Sequence, residues 1–379
     1  MDFALSDEQI AIFDMAKDFG TDNIAPYAQK WDQDGMIPKE LWQQIAELGF
    51  GGLYVSEENG GTGLSRLDAT LVFEALSMSC ASVASFLSIH NMCAKMIDSF
   101  GSDDLKARIL QPAITMQTVL SYCLTEPACG SDAAALKTRA VRTDDGFTLT
   151  GTKAFISGGG YSDAYIVMAR SGDAGPKGIS AFVVEDGSEG LSFGGLEDKM
   201  GWRSQPTRQV QLDNTNISEA NLLGELGKGF TYAMKGLDGG RLNIAACSIG
   251  AAQSALDKTL QYMSERKAFG QSIDQFQGLQ FRLADMNIAL ESARTFLRQA
   301  AWKLDNNAPD ATVFCAMAKK LCTETGSEVA DQCLQLHGGY GYLVDYGIEK
   351  IVRDLRVHQI LEGTNEIMRL ITARHVVQS

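Results

Sequence analysis

The sequence predicts a segregated α+β fold, in which a small β region lies between two helical regions. Long helical patterns dominate before residue 119 and after Gly229. Between them, short runs rich in Val, Ile, Phe, Tyr and Thr alternate with Gly, Asp and Asn. Strands that follow one another without intervening helices are typical of α+β proteins, not of a doubly wound sheet. We therefore predict three domains, over 1–118, 119–228 and 229–379.

The composition is that of a large globular protein with no general affinity for polyanions. The net charge of −14 argues against attraction to nucleic acid or anionic lipid. No apolar run reaches the ~20 residues that span a bilayer, and the N-terminus lacks the features of a secretory signal. The eight cysteines form no C-x-x-C pair, and the four histidines show no zinc-ligand spacing. We expect a reduced cytoplasmic protein without a metal site.

The first helical region begins with a capping signal. Ser6 and Gln9 form a predicted capping box ahead of the apolar positions Ile10 and Phe13. Alanine-rich helical patterns continue over 67–100. The glycine-rich stretch 58–63 interrupts them, and we interpret it as a turn because no strand–GxGxxG–helix context surrounds it.

The β region begins with a predicted hairpin. The runs 136–143 and 147–156 flank an Asp-Asp-Gly turn that ends at Gly146. The runs 163–170, 178–186 and 208–214 supply further strands, and the region ends near Leu223. The helical patterns return after Gly229.

Four segments have the composition of ligand-binding loops, although each also has a plain structural interpretation. Residues 122–132 and 153–160 offer hydroxyls, glycines and exposed amides after strands, which also suits simple strand exits. Residues 335–342 allow close approach of a ligand to the backbone or form a helix-ending turn. Residues 238–241 place Arg241 beside two glycines, where a surface ion pair is the alternative.

A carboxylate occupies the break between two helical patterns near the C-terminus. The run 348–360 and the run from Ile367 are both amphipathic, and Gly363 and Thr364 mark a C-cap and an N-cap between them. This places Glu362 at the end of the first helix. Because a helix C-terminus disfavours negative charge, a solvated glutamate is the alternative to a functional one.

Together, these segments resemble the acyl-CoA dehydrogenase family over essentially the whole chain. The similar stretches are YCLTEPACGSD, KAFISGGG, ERKAFGQSIDQFQGLQ, QLHGGYGY and RVHQILEGTNEIMR. The resemblance implies a helical N-terminal domain, a β middle domain and a C-terminal four-helix bundle. It also implies non-covalent FAD and a homotetramer built as a dimer of dimers.

The resemblance carries family roles to particular residues, with Glu362 as the catalytic base. The implied FAD contacts are Tyr122, Leu124, Thr125, Gly130, Ser131, Phe155, Ile156, Ser157, Arg266, Phe269, Phe276, Gln277, Gln335, Leu336, Gly338, Gly339, Thr364, Asn365 and Glu366. Of these, Arg266, Phe276, Gln277 and those on 335–339 would reach FAD across a dimer interface. The implied substrate contacts are Ser131, Asp238, Arg241, Gly363 and Arg374. Phe155, Ser157 and Ala268 depart from residues common in relatives, which changes flavin stacking and removes one hydrogen bond.

The implied reaction is the α,β-dehydrogenation of an acyl-CoA thioester. Glu362 would remove the α-proton, while flavin N5 accepts the β-hydride. Burial and the field of the helix end should raise the pKa of the carboxyl group, and the Glu362 N–H and a ribityl hydroxyl would stabilise the enolate oxygen. In isovaleryl and long-chain relatives the base occupies the position of Gly240. The combination of Gly240 and Glu362 therefore favours a short acyl group, straight or α-branched.

The specific hypothesis is conversion of isobutyryl-CoA to methacrylyl-CoA in valine catabolism, with electrons passing to electron-transfer flavoprotein. Butyryl-CoA and 2-methylbutyryl-CoA are the alternative substrates. An acyl-CoA oxidase is disfavoured because such enzymes are usually longer. A non-catalytic flavoprotein that binds nucleic acid is disfavoured by the net charge of −14.

Overall fold

The computed structural model describes residues 4–378. In chain order, a helical region comes first, the strands of one eight-stranded sheet follow, and a second helical region ends the chain. This order confirms the α+β prediction. None of the helices within the described residues is long and apolar enough to cross a membrane.

The N-terminal helices follow the predicted pattern. Their bounds are α1 Asp7–Asn23, α2 Ala28–Asp34, α3 Lys39–Glu47, α4 Arg66–Ser79, α5 Ala81–Phe100, α6 Asp103–Leu105 and α7 Gln111–Ile114, with a π-helical stretch between the last two. The capping box is confirmed: the Ser6 N–H donates to Gln9 Oε1 at 3.1 Å, and the Gln9 N–H donates to Ser6 Oγ at 3.2 Å. The glycine-rich stretch is a turn, which the Asn59 amide fastens to Asp98 on α5 at 2.7 Å.

The β region forms a mixed sheet. The strands are β1 Leu120–Cys123, β2 Arg139–Arg142, β3 Gly146–Ser157, β4 Ala164–Arg170, β5 Ile179–Glu185, β6 Leu191–Phe193, β7 Thr207–Ser218 and β8 Leu222–Leu223. They pair in the order β6-β7-β3-β2-β4-β5-β8, and β1 pairs in parallel with β4. The predicted hairpin is confirmed, because β2 and β3 pair antiparallel with Arg139 opposite Thr150.

A bulge in β3 turns one aromatic ring out of the sheet. The β3–β7 register steps from Lys153 opposite Val210 to Ile156 opposite Arg208, so two residues of β3 face one residue of β7. One of the two is Phe155, with a φ of 57° and 70% of its surface exposed. The bulge thus presents a large apolar side chain to solvent at the edge of the region that carries the predicted flavin contacts.

The C-terminal region is helical, with a small hairpin near its start. Its elements are α8 Gly229–Glu265, β9 Lys267–Ala268, β10 Gln271–Ser272, α9 Gln277–Asp305, α10 Ala311–His337, α11 Ile348–Arg356 and α12 Asn365–Gln378. Helix α8 packs against α4 of the first region at Gly250, where a Cβ atom would lie 1.9 Å from the carbonyl oxygen of Glu74. The two helical regions therefore share one core.

A buried polar joint ties the loop between β6 and β7 to the end of α11. The backbone N–H of Trp202 donates to Asp354 Oδ1 at 2.6 Å, and the indole N–H donates to His358 Nε2 at 3.1 Å. The other ring nitrogen of His358 lies 2.7 Å from Ser248 Oγ on α8. Burial lowers the pKa of His358 to about 3, so its imidazole ring is neutral, and the joint holds the chain just before Glu362.

The predicted helix end at Glu362 is wrong. Helix α11 ends at Arg356, a 3₁₀ turn covers Val357–Gln359, and Ile360 is 53% exposed instead of packed on the helix face. Glu362 lies in the irregular turn that follows, so tertiary contacts, rather than a helix terminus, determine its surroundings.

Candidate active site

The turn that carries Glu362 has an uncommon backbone conformation. Glu362 has a φ of 56° and Gly363 a φ of 85°. The left-handed region costs a non-glycine residue about 1–2 kcal/mol, so other contacts must hold it there. The Glu362 carbonyl accepts a hydrogen bond from Arg241 Nε at 3.4 Å, and the Gly363 carbonyl accepts one from Lys319 Nζ at 2.9 Å. Thr364 caps α12 as predicted, because its Oγ1 accepts from the Ile367 N–H at 3.4 Å.

The carboxylate of Glu362 lies directly against the backbone of α8. A Cβ atom built on Gly240 would be 2.8 Å from Glu362 Oε2 and 3.0 Å from the carboxyl carbon. Within residues 4–378, Oε2 is buried and has no hydrogen-bond partner. Although the residue as a whole is partly exposed, this oxygen is not solvated as in a surface glutamate, and it has no protein partner that would keep it from reacting.

Burial controls the ionisation of this carboxylate. It raises the pKa of Glu362 to about 7, against the opposing effect of the positive charges of Arg241 and Lys319. The field of a helix end, which the sequence predicted as a second cause, does not contribute because α11 ends six residues earlier. Burial raises the pKa values of Tyr122 and Cys93 well above their ordinary values, and the negative charge of Glu362 adds to the shift of each, second to burial for Tyr122 and after burial and Cys123 for Cys93. Both side chains therefore lie within range of the charge of Glu362, and the Tyr122 hydroxyl is also buried without a partner among the described residues.

A buried arginine lies beside the carboxylate and is already paired. Arg241 Nη1 lies 2.7 Å from Asp238 Oδ1, and Asp238 Oδ2 accepts a hydrogen bond from Thr312 at 2.7 Å. The alternative of a surface ion pair for Arg241 does not hold, because the pair is buried and only 5% of the residue is exposed. Asp238, Arg241 and Gly363 therefore lie around Glu362. Arg374 lies on the exposed part of α12, nine residues beyond Asn365, or roughly 14 Å along the helix.

The segment 122–131 is fastened to β3 by a buried ion pair. Lys153 Nζ lies 2.8 Å from Glu126 Oε1 and also donates to the Leu124 carbonyl at 3.1 Å. Glu126 accepts the N–H groups of Lys137 and Thr138 at 2.6 and 2.8 Å. Burial alone would raise the pKa of Glu126, but Lys153 and these hydrogen bonds hold it below its ordinary value. The Ala154 N–H donates to the Thr125 carbonyl at 2.9 Å, which places the segment next to Phe155.

These residues fit a flavin ring. The exposed Phe155 ring offers an apolar face, with Ser157 two residues further along β3, and large exposed aromatic side chains often mark binding sites. Gly130 and Ser131 are exposed, and a Cβ atom on Gly130 would meet nothing within 4 Å. The predicted contacts Tyr122, Leu124, Thr125, Gly130, Ser131, Phe155, Ile156 and Ser157 all lie on this segment or on β3.

A second group of predicted cofactor residues lies elsewhere, around a cavity of about 540 Å³. Its lining residues are Tyr262, Arg266, Ile273, Leu279, Arg282, Gln335, Leu336, His337, Gly338, Gly339, Tyr340 and Leu343. Two arginines and the open backbone at Gly338 and Gly339 suit an anionic ligand. Neither Phe155 nor Glu362 lines this cavity, so the structure divides the predicted FAD contacts of one chain into two separate sets.

The remaining predicted contacts lie near one or other set. Phe269 is 97% exposed at the tip of the β9–β10 hairpin and makes a T-shaped contact with Phe276, just before Gln277 begins α9. After Glu362, only Glu366 of the three predicted residues is exposed. The Asn365 side chain is buried, and its amide already bonds Lys319 and Thr323. A direct contact between the Asn365 side chain and a cofactor would have to replace these bonds.

Sequence reasoning gave no role to three buried charged residues that shape the site. Glu126 and Lys153 lie within the similar stretches, but nothing in their spacing showed that they pair. Lys319 lies on the apolar face of α10, four residues after Cys315 and three before Cys322, and a lysine at such a position is a usable signal. As for metals, residues 4–378 contain no group of His, Cys, Asp and Glu arranged to hold one.

Comparison with known proteins identifies the family. The models of the acyl-CoA dehydrogenase N-terminal, middle and C-terminal domains match residues 6–117, 121–215 and 227–377. The mitochondrial isobutyryl-CoA dehydrogenase of Bos taurus is 49% identical over 374 residues, which cover 99% of this chain and 90% of that protein. The chain belongs to the acyl-CoA dehydrogenase family, which consists of FAD-dependent oxidoreductases that act on CH–CH bonds. The family that the sequence motifs indicated is thereby confirmed.

Solved structures agree with this assignment. Butyryl-CoA dehydrogenase from Megasphaera elsdenii is 38% identical with a TM-score of 0.96 and full coverage of both chains. A chain solved in work on the electron transferring flavoprotein of Acidaminococcus fermentans is also 38% identical, with a TM-score of 0.97 and full coverage of both chains.

The ion pair beneath the predicted flavin segment should matter for both folding and cofactor affinity. Lys153→Met leaves Glu126 buried and unpaired, which should lower the free energy of unfolding by about 3–5 kcal/mol. It should also weaken FAD binding, because the segment 124–131 loses the two side-chain bonds of Lys153 and keeps, among the described residues, only the backbone bond from the Ala154 N–H of β3. Lys137→Met, at an exposed position next to the same carboxylate, is the control and should change neither quantity. Denaturant unfolding and FAD titration measure both. Wild-type FAD affinity in a folded Lys153→Met variant would show that the pair does not shape the site.

Proposed function

We propose that this protein dehydrogenates a short, α-branched acyl-CoA, with isobutyryl-CoA converted to methacrylyl-CoA and Glu362 as the base. The observation that carries the proposal is the position of the Glu362 carboxylate, which lies against Gly240 with Oε2 buried and free of partners. A carboxylate with a pKa of about 7 is a stronger base than an exposed one and is still half ionised at neutral pH.

The chain supplies the groups that the α-proton step needs. Glu362 Oε2 takes the proton from the α-carbon, and the burial of this oxygen among the described residues limits competition from water. The developing enolate oxygen needs a hydrogen-bond donor. Within residues 4–378 the Glu362 N–H makes no hydrogen bond, which leaves it available for this purpose. When bound, FAD supplies the acceptor for the hydride that leaves the β-carbon.

Two relatives bear on the acyl group. The Bos taurus relative, 49% identical, is an isobutyryl-CoA dehydrogenase, and this likeness supports an α-branched substrate. The 38% identity to butyryl-CoA dehydrogenase of Megasphaera elsdenii supports the second candidate, butyryl-CoA, and 2-methylbutyryl-CoA remains the third. The base at Glu362 lies against Gly240, which carries no side chain. This favours all three substrates over those of the relatives whose catalytic base occupies position 240.

The separate FAD half-sites support a homo-oligomer, for which we propose a dimer of dimers. The cavity near Arg266 would serve the cofactor held by the flavin segment of a second copy. Helix α9 also exposes Phe281, Ile288 and Trp302, which a subunit interface would cover. We further propose the divisions 1–118, 119–228 and 229–379 as its domains. A cytoplasmic role in valine catabolism, with electron-transfer flavoprotein as electron acceptor, completes the proposal.

Flavin bleaching tests the reaction and the substrate together. FAD-loaded protein mixed anaerobically with isobutyryl-CoA should bleach faster than with butyryl-CoA or 2-methylbutyryl-CoA, as followed by stopped flow. Glu362→Gln should slow bleaching by roughly 10²-fold or more, because the amide cannot accept the α-proton. Glu328→Gln, on the exposed surface of α10 and outside the predicted cofactor and substrate contacts, is the matched control for the loss of one carboxylate.

The outcomes separate the parts of the proposal. Faster bleaching with butyryl-CoA than with isobutyryl-CoA would make butyryl-CoA the substrate and would leave the proposed mechanism unchanged. Full activity in a folded Glu362→Gln variant would show that another group is the base.

The pH dependence follows from the shifted pKa. The base must be ionised, so kcat/KM should fall about tenfold per pH unit below pH 7 and level off above it. An ordinary exposed glutamate, with its pKa near ~4.3, would give a flat profile over the same range. Steady-state rates between pH 5.5 and 9 with a saturating electron acceptor provide the measurement, and a flat profile would contradict a buried base.

A further inference from the structure

One buried lysine behind the Glu362 turn has no part in the reaction described so far. Lys319 lies in the middle of α10 with none of its surface exposed. Lysine is almost never fully buried unless it is paired, because an ammonium ion loses its hydration on burial. Within residues 4–378, however, no carboxylate oxygen lies within 4.0 Å of its ammonium group. A structural pair therefore does not explain its position.

The hydrogen bonds of Lys319 all go to the turn that carries the base. Its Nζ donates to the Gly363 carbonyl at 2.9 Å and to Asn365 Oδ1 at 3.0 Å. Asn365 is in turn held by Thr323, since its Nδ2 donates to Thr323 Oγ1 at 3.1 Å. The ammonium group thus holds Gly363 and Asn365, the residues on either side of Thr364, directly after the left-handed backbone at Glu362.

The charge of Lys319 also acts on the base. Glu362 is the largest charge effect on Lys319, and Lys319 in turn favours the ionised form of Glu362. The other titratable or charged groups that face the pair come from several elements: Asp238 and Arg241 on α8, Glu324 on α10, Glu366 on α12, His358 in the 3₁₀ turn, Cys93 on α5 and Tyr122 on β1. Of these, only Arg241 opposes the negative charge of Glu362 as Lys319 does, and Arg241 is neutralised in part by Asp238.

We propose that Lys319 is a positioning residue for the base: it fixes the Glu362 turn by two hydrogen bonds and, together with Arg241, supplies positive charge that favours an ionised Glu362. This inference rests on the proposed role of Glu362. Burial lowers the pKa of Lys319 to about 7, against the charge of Glu362, which raises it. The two groups therefore titrate as a coupled pair, and removal of the lysine should leave Glu362 protonated to a higher pH.

The test compares two lysine variants that differ in burial. Lys319→Met removes the charge and the donors with little change in side-chain length. Lys320→Met makes the same change at the neighbouring position, where the lysine is partly exposed and pairs with Glu324, and it is the matched control. Both variants are studied as full-length, FAD-loaded protein. Lys319→Gln is the second variant, because its amide is a better substitute in the buried polar site if the methionine variant does not fold.

The first readout is independent of turnover. A pH titration followed by infrared difference spectroscopy reports the protonated carboxyl band of Glu362, which is assigned by its absence in Glu362→Gln. Loss of one nearby positive charge should raise the midpoint by about one pH unit in both Lys319 variants. The Lys320→Met midpoint should equal that of the wild type.

The second readout is the pH profile of flavin reduction by isobutyryl-CoA. A midpoint one unit higher predicts a rate about fivefold lower at pH 7 and a recovery towards the wild-type rate at pH 9. A rate that falls by the same factor at every pH, with an unchanged infrared midpoint, would overturn the proposal and leave Lys319 with a structural role only. If Glu362→Gln retained activity, the proposed function would fail instead, while the infrared titration would still show whether Lys319 acts on Glu362.

Discussion

The site depends on one contact, between the carboxylate of Glu362 and the backbone of α8 at Gly240. A side chain at position 240 would overlap the carboxylate, with a Cβ atom 2.8 Å from Oε2. The contact removes water from one carboxylate oxygen without replacing its hydrogen bonds, and this loss raises the pKa of the group to about 7. The cost of an unsatisfied buried carboxylate is tolerated because the surrounding structure leaves it no other position.

Several parts of the fold meet to maintain this contact. Helix α8 supplies Gly240 and Arg241, and α10 supplies Lys319, which bonds the turn from the other side. The joint of Trp202, Asp354 and His358 fixes the chain before the turn to the loop between β6 and β7, and Thr364 begins α12 after it. The base is therefore positioned by residues from the β region and from three helices, although it lies in an irregular turn.

Local patterns predicted the elements whose structure is locally determined. The capping box at Ser6, the hairpin around Gly146 and the N-cap at Thr364 each depend on residues a few positions apart, and all three are confirmed. The resemblance also named Asp238, Arg241 and Gly363, which lie together beside Glu362. The end of the helix before Glu362 was wrong because its amphipathic pattern continues to Ile360, while tertiary contacts end α11 at Arg356. The outward Phe155, the Glu126–Lys153 pair and the role of Lys319 depend on register and long-range packing, which spacing alone does not show.

The contact at Gly240 can be tested by adding one methyl group. Gly240→Ala should displace the carboxylate and slow flavin reduction by isobutyryl-CoA about tenfold or more, since small misplacements of a reacting group are costly. FAD content and melting temperature should be nearly unchanged. Gly236→Ala, one turn earlier on α8, is the matched control, because its Cβ atom would meet only the flexible side chains of Met96 and Met92, at 3.2 and 3.6 Å. A Gly240→Ala variant that reduces its flavin at the wild-type rate would contradict the account.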